Sequence, residues 1–117
     1  MMSLIFRIDG EKSLELLGRD ENNFRKYIDI VCESAGMEKV GEDEYIVRPE
    51  YNEDIVIGGL VLAWKEKRAL FESLSEWYWT NDSLAEDDEE RYLDLIKDTY
   101  ELIEQYGESI LWRDEKP

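Results

Sequence analysis

The sequence predicts an α+β fold, in which a small and mainly antiparallel sheet packs against about three helices in a single domain. Three observations lead to this prediction. The chain has 117 residues, which is enough for one hydrophobic core. Short segments of alternating polarity indicate strands, and longer segments with helical spacing indicate helices. Seven Tyr, four Trp and three Phe supply core material in spite of the high charge.

The N-terminal segment predicts one strand followed by an ambiguous element. Residues 3–8 alternate in the manner of a strand, and Asp9-Gly10 is a turn signal. Residues 11–17 contain three leucines that suit either the second strand of a hairpin or one helical turn. Gly18 ends this element in both cases.

A helix is predicted from Asp20, a good capping residue, to Ala35, with Gly36 as its stop. One apolar face repeats with helical spacing along this segment. It comprises Phe24, Tyr27, Ile28, Val31, Cys32 and Ala35. We therefore interpret Cys32 as a small core residue and not as a nucleophile.

Two or three short strands are expected in the middle of the chain. Residues 37–40 and 44–48 form a predicted strand pair, which Pro49 ends. Residues 55–57 are a possible third strand, and Gly58-Gly59 then breaks the pattern. Because these glycines lack the context of a phosphate-binding loop, we interpret them as a turn.

Helical spacing of apolar residues begins near Leu60 and predicts a helix from about Lys65 to Trp79. An alternative keeps residues 60–64 as a strand and starts the helix near Glu66. Trp64 is assigned to the core in both versions.

The last long helix is predicted to begin at Ser83, where Glu86 completes a capping-box pattern, and to end before Gly107. Its expected core face comprises Tyr92, Leu95, Ile96, Thr99, Ile103 and Tyr106. Residues 108–113 suit a short terminal strand that contains the core residue Trp112. Residues 114–117 are expected to be a frayed tail.

Composition excludes several classes of site. The absence of His removes His-based triads and zinc sites, and one Cys cannot form an internal disulfide. No apolar run is long enough for a signal peptide or a membrane span. We therefore expect a cytoplasmic protein with no catalytic residue, no metal site and no cofactor. Contiguous carboxylates such as Asp87-Asp88-Glu89-Glu90 fan around a helix axis and do not converge on an ion.

The net charge of -16 is the most unusual property of the chain. It disfavours nucleic acid and anionic membranes as partners and favours a basic protein. Acids concentrate around the predicted joint between the last two helices and along the outer face of the final helix, where only Lys97 interrupts them. A second acidic zone covers residues 42–44 and 50–54. Solubility alone is the competing explanation.

Aromatic residues beside the acids provide candidate anchors. On a helix, Trp79 would point away from the core face, so it either folds back or stays partly exposed. Tyr51 lies within the second acidic zone. The predicted partner-binding residues are Trp79, Asp82, Glu86, Asp87, Asp88, Glu89, Glu90, Asp94, Asp98, Glu101 and Tyr51.

The acidic stripe of Asp94, Asp98 and Glu101, together with the joint at residues 79–90, resembles the small acidic immunity proteins of bacterial contact-dependent-inhibition and polymorphic-toxin systems. The resemblance lies in size and charge and includes no diagnostic motif. It implies tight binding to a cognate toxin domain, often a nuclease. Two alternatives remain: a phage-encoded mimic of nucleic acid, and an acidic scaffold subunit without inhibitory action. The oligomeric state is not predicted.

Overall fold

The computed structural model describes residues 1–112 and confirms the α+β class. Its centre is a five-stranded antiparallel sheet with the strand order β2-β3-β1-β4-β5. The N-terminal strand therefore lies in the middle, and two three-residue strands form the edges. The strands are β1 (Met2–Ile8), β2 (Met37–Lys39), β3 (Glu44–Val47), β4 (Leu74–Asn81) and β5 (Tyr92–Asp94).

Within residues 1–112, five α-helices accompany the sheet, compared with about three predicted from the sequence. They are α1 (Gly10–Leu17), α2 (Glu21–Ser34), α3 (Glu53–Lys65), α4 (Arg68–Glu72) and α5 (Leu95–Tyr106). Short 3₁₀ turns cover Glu89–Arg91 and Glu108–Ile110. Within residues 1–112, no helix has the length and apolar character needed to cross a membrane.

The alternation of β1 fixes the two faces of the sheet. Leu4 and Phe6 are almost completely buried, whereas Ile5 is half-buried and Arg7 is exposed. Because successive side chains in a strand point to opposite faces, Leu4 and Phe6 face the helices. Ile5 and Arg7 face the other side.

Aromatic rings fill the space between sheet and helices. The ring of Phe6 lies 5.2 Å from Trp64, 5.8 Å from Trp77 and 5.8 Å from Tyr45, measured between centroids. Each such pair stabilises the fold by about 0.5–1.5 kcal/mol beyond the area it buries. The core positions predicted for Trp64 and Trp112 are confirmed. The Trp112 indole Nε1 also donates to the carbonyl of Lys65 at 2.7 Å.

Side-chain caps define the first two helices. The ambiguous segment 11–17 is helical because Asp9 accepts a hydrogen bond from the Lys12 amide at 3.1 Å, and Gly18 ends the helix at a φ of 66°. The predicted helix after Asp20 is confirmed, with the Asp20 carboxylate accepting from the Asn23 amide at 2.8 Å. The predicted strands 37–40 and 44–48 correspond to β2 and β3.

The possible strand at residues 55–57 is wrong, because this segment belongs to α3. Asn52 accepts from the Ile55 amide at 3.1 Å and starts the helix. Gly58 and Gly59 lie inside the helix and do not form a turn. The helix has apolar residues on several sides, including the exposed Ile55 and Leu62, so its sequence has little helical periodicity.

The predicted helix from Lys65 to Trp79 is also wrong. Lys65 is the last residue of α3, a short helix covers Arg68–Glu72, and Leu74–Asn81 forms β4. The segment from Trp77 to Thr80 is aromatic and β-branched, which suits a strand. It pairs with β1 in antiparallel register, Trp77 opposite Phe6 and Trp79 opposite Leu4. These pairings outweigh the apolar spacing that resembled a helix.

The last helix begins eleven residues later than Ser83 would place it, because its true cap is Asp94. Before it, the chain forms an irregular loop, a 3₁₀ turn and β5. Leu95, Ile96, Thr99 and Ile103 pack inward as predicted, whereas Tyr92 and Tyr106 are exposed. The predicted terminal strand is wrong over Glu108–Ile110, which is a 3₁₀ turn. Arg113 and the predicted frayed tail 114–117 lie outside the described residues.

Substitutions at adjacent positions of β1 test this division of the sheet into two faces. Phe6→Ala should lower the free energy of unfolding by about 3–5 kcal/mol, because it removes a ring from the packed core. Ile5→Ala should lower it by about 1 kcal/mol, because Ile5 is only half-buried. Urea denaturation followed by tryptophan fluorescence measures both values. Equal losses would contradict the assignment of faces.

Candidate functional site

The loop between β4 and β5 (residues 82–91, the acidic loop) carries most of the predicted binding residues. Its shape is set by side chains that bond to its own backbone. Asn81 accepts from the Ser83 amide at 3.1 Å, and Asp88 accepts from the Glu90 amide at 2.9 Å. The Arg91 guanidinium donates to the carbonyls of Leu84 and Asp82. These hydrogen bonds hold the segment as a loop in place of the long helix that the sequence predicted.

Five consecutive carboxylates, Glu86–Glu90, are exposed on the acidic loop. Within residues 1–112, none of them forms an ion pair with a lysine or arginine. The adjacent cation, Arg91, is directed to backbone carbonyls. The charges of these five carboxylates are therefore exposed to solvent.

Ion pairs elsewhere place the available cations away from the acidic loop. Arg7 lies 2.9 Å from Glu76, and Arg68 lies 2.8 Å from Glu72. Arg25 is within 3.5 Å of Asp43. Each of these arginines therefore pairs with an acid outside the acidic loop.

Asp82, at the start of the acidic loop, has an electrostatic partner. Its carboxylate accepts a hydrogen bond from the N-terminal ammonium of Met1 at 2.7 Å. This hydrogen bond lowers the pKa of Asp82 and raises the pKa of the Met1 amino group. Both groups are exposed, so the pair adds little to stability.

One side of the acidic loop borders the sheet face that points away from Leu4 and Phe6, here called the open face. Its central residues are Ser3, Ile5, Ile46, Tyr78, Thr80 and Tyr92. All of these except Tyr78 line a depression of about 310 Å³, whose described lining also includes Glu44 and no α-helical residue. The rings of Tyr78 and Tyr92 are 4.7 Å apart between centroids. This face offers apolar and hydroxyl groups beside Asp82 and Arg91.

The other side of the acidic loop closes a cavity of about 300 Å³ on the helix side of the sheet, here called the Trp79 cavity. Trp79 is half-buried there, since it shares the inner face of β4 with Trp77. The helical orientation predicted for Trp79 is therefore wrong. The cavity is also lined by Met2, Asp54, Asn81, Leu84, Glu90 and Leu93.

The predicted stripe on the final helix separates into residues with different surroundings. Asp94 is the N-cap of α5 and accepts from the amides of Ile96 and Lys97, each at 3.1 Å.

Asp98 is half-buried near Lys65. Burial lowers the pKa of the Lys65 ammonium, and the charge of Asp98 opposes that shift. Glu101 is exposed. The stripe is not continuous with Glu90, because Glu90 is not in the helix.

Tyr51 is half-exposed and packs against Gly36. A Cβ atom at Gly36 would lie 2.9 Å from the Tyr51 ring, and the φ of Gly36 is 99°. Glycine is therefore required at position 36. The neighbouring acidic segment contributes Asp54 to the Trp79 cavity.

The open face was missed as a candidate surface. Its signal was present in the alternation of β1, where Ser3, Ile5 and Arg7 occupy the side opposite Leu4 and Phe6. That pattern does not specify which face the helices cover. Tyr92 was missed because the helical pattern places it on the core face of the last predicted helix.

Groups able to carry out chemistry are sparse in the described part of the chain. Residues 1–112 contain no cluster of three carboxylate or thiol side chains suited to a metal ion. Cys32 is fully buried, and burial raises the pKa of its thiol to about 12. The Cys32 thiol is therefore protonated at neutral pH.

The reactivity of Cys32 tests its burial. A thiol with a pKa of about 12 has almost no thiolate at pH 8. We expect the folded protein to react with Ellman's reagent at least about 100-fold more slowly than the same protein in 6 M guanidinium chloride. Comparable rates would contradict the burial of Cys32.

The capping role of Asp94 gives a second test. Asp94→Ala should lower the free energy of unfolding by about 1 kcal/mol, because two amides of α5 lose their acceptor. Glu101→Ala is the control in the same helix and should change it by less than about 0.5 kcal/mol. Urea denaturation measures both. Similar losses would argue against a special role for Asp94.

Comparison with known proteins returns no match from family models, from curated proteins or from solved structures. A function for this chain is therefore proposed from its own charges, cavities and contacts.

Proposed function

We propose that this chain is a non-enzymatic inhibitor that binds and neutralises a basic protein, in its most specific form an immunity protein against a nuclease-type bacterial toxin. The observation that supports this proposal is the acidic loop, whose five carboxylates Glu86–Glu90 form no ion pair within residues 1–112 and lie between two depressions that contain aromatic side chains. The aromatic side chains and the charge would act together on one partner.

Electrostatics favours a basic partner over other ligands. A net charge of -16 repels nucleic acid and anionic lipid and attracts a cationic surface. Charges on the acidic loop act over about 8 Å at physiological ionic strength. Five carboxylates in sequence therefore guide a partner to this edge of the sheet before contact occurs.

Aromatic and apolar groups supply the contact that charge alone does not provide. Trp79 lies on one side of the acidic loop, and Tyr92 and Tyr78 lie on the other. Trp and Tyr are enriched among the residues that dominate binding energy, particularly where surrounding groups exclude water. This arrangement supports a specific protein contact better than the scaffold alternative does.

A nuclease is a suitable kind of partner because it must hold an anionic backbone in a basic groove. Carboxylates on an ordered loop can occupy such a groove and exclude the nucleic acid. The resemblance to toxin-immunity proteins in size and charge supports the same proposal. The buried free thiol of Cys32 suits the reducing cytoplasm, where an immunity protein against a nuclease would act.

The test uses proteins encoded by the genes on either side of this one. Each basic neighbour is produced in a bacterial expression host with and without this chain, and growth and nuclease activity are measured. One neighbour should be toxic alone, harmless in co-expression and bound by this chain in titration calorimetry. Failure of every basic neighbour to bind would contradict the immunity proposal.

The acidic loop should control the association rate with that partner. Glu86→Gln, Asp87→Asn and Glu89→Gln combined should slow association about tenfold and reduce its dependence on salt. Asp88 is kept because it holds the backbone of the acidic loop. Stopped-flow or surface plasmon resonance measures the rates.

A matched control removes the same charge elsewhere. Glu11→Gln, Glu15→Gln and Glu66→Gln are exposed positions on α1 and at the end of α3. This variant should slow association less than about twofold, because its charges are not at the proposed contact. Equal slowing in both triple variants would show that net charge alone drives association.

A further inference from the structure

We propose that the Trp79 cavity receives one cationic side chain of the partner protein, with arginine preferred over lysine. This inference deepens the proposed function and rests on it for the identity of the partner. The chemistry of the cavity can be examined without that partner.

The walls of the Trp79 cavity come from five separate parts of the chain, including Met2 of β1. Asp54 lies in the first turn of α3, Trp79 in β4, Glu90 at the end of the acidic loop and Leu93 in β5. Met2 and Leu84 add apolar surface. An indole and two carboxylates are thus brought together across about 40 residues of sequence, and neither charge lies next to the Trp in the chain.

A cation is the ligand class that these groups recognise together. The face of an indole attracts a guanidinium or ammonium group, and the attraction strengthens when water is displaced. Asp54 and Glu90 have no ion pair within residues 1–112, so neither is already neutralised by a described cation. An anion or a wholly apolar group would leave these two charges uncompensated.

The first turn of α3 weakens this preference without reversing it. A helix N-terminus carries about half of a positive charge. Asp54 and Glu90 carry two negative charges. Glu53 is a third acid nearby, but its carboxylate accepts the Met2 amide at 2.7 Å and also interacts with the charge of the Met1 ammonium. The two carboxylates that line the Trp79 cavity therefore outweigh the half charge of the helix N-terminus.

Arginine fits these walls better than lysine. Its planar guanidinium stacks on an aromatic ring and can donate to two carboxylates at once, whereas an ammonium group is compact and more strongly hydrated. The apolar part of the arginine side chain can lie against Met2, Leu84 and Leu93. A volume of about 300 Å³ is suited to one side chain and its stem.

The probe is the blocked tripeptide acetyl-Gly-Arg-Gly-amide, titrated into ¹⁵N-labelled protein at constant ionic strength. Indole NH signals are followed by NMR, and the Trp79 signal is identified as the one that Trp79→Phe removes. The matched control peptide replaces arginine by citrulline, which has nearly the same shape and no charge. The lysine peptide is the third probe.

The arginine peptide should shift the Trp79 signal saturably and bind at least threefold more tightly than the citrulline peptide, with the lysine peptide between them. The signals of the buried Trp64 and Trp77 should not move. Equal binding of arginine and citrulline peptides would overturn the inference.

Adjacent acids on the acidic loop provide matched variants. Glu90→Gln should weaken arginine-peptide binding about two- to fivefold, because a wall of the Trp79 cavity loses its charge. Glu89→Gln removes the same charge one residue away and should have less than half of that effect. Equal effects would show that the field of the whole acidic loop, and not the cavity, attracts the peptide.

The two proposals can fail separately. If no neighbouring basic protein binds while the arginine peptide still titrates Trp79, the proposed function fails and the cationic site remains. If a partner binds the double variant Trp79→Leu and Glu90→Gln as tightly as it binds the native chain, the Trp79 cavity is not its anchor. Unchanged Trp64 and Trp77 signals confirm that this variant is folded.

Discussion

The packing of β1 against the aromatic core is the constraint on which the rest of the structure depends. Phe6 contacts Tyr45 of β3, Trp64 of α3 and Trp77 of β4, so one ring joins both neighbouring strands to the helical layer. Since strand side chains alternate, burying Phe6 also fixes the orientation of Ile5 on the opposite face. The composition of the open face is therefore a consequence of burying Leu4 and Phe6.

The same constraint places the acidic loop. Trp77 must face the core beside Phe6, so β4 is held in register along β1 as far as Asn81. The chain then turns back to form β5 as a short edge strand. The acidic loop projects from this edge, with the inner face of the sheet on one side and the open face on the other. Aromatic side chains therefore lie on both sides of the acidic loop, Trp79 on the inner face of the sheet and Tyr92 on the open face.

A chain with thirty acidic residues folds because its carboxylates serve different purposes. Asp9, Asp20 and Asp94 satisfy helix N-termini, where negative charge is favourable. Others, such as Asp43, pair with arginine. Within residues 1–112, four acids of the acidic loop have neither use: Glu86, Asp87, Glu89 and Glu90. Their mutual repulsion is reduced by exposure to water and salt, so they cost the fold less there than in the core.

The sequence alone determined the features that depend on local chemistry. Fold class, β1, α2, the β2–β3 pair and the core positions of Cys32, Trp64 and Trp112 follow from alternation, helical spacing and capping residues. The acidic loop was also apparent as a run of charge, although its helical form was wrong. Each of these features is encoded within a few neighbouring residues.

Only the tertiary structure decided the conformation of segments with ambiguous patterns. Residues 55–57 are helical and residues 74–81 form a strand because of what they pack against, and pairing with β1 overrode the apolar spacing around Trp77. The Trp79 cavity likewise joins Asp54 and Glu90 from distant segments. Local patterns specify the propensities of a segment, whereas the contacts that bring distant residues together depend on how the whole chain packs.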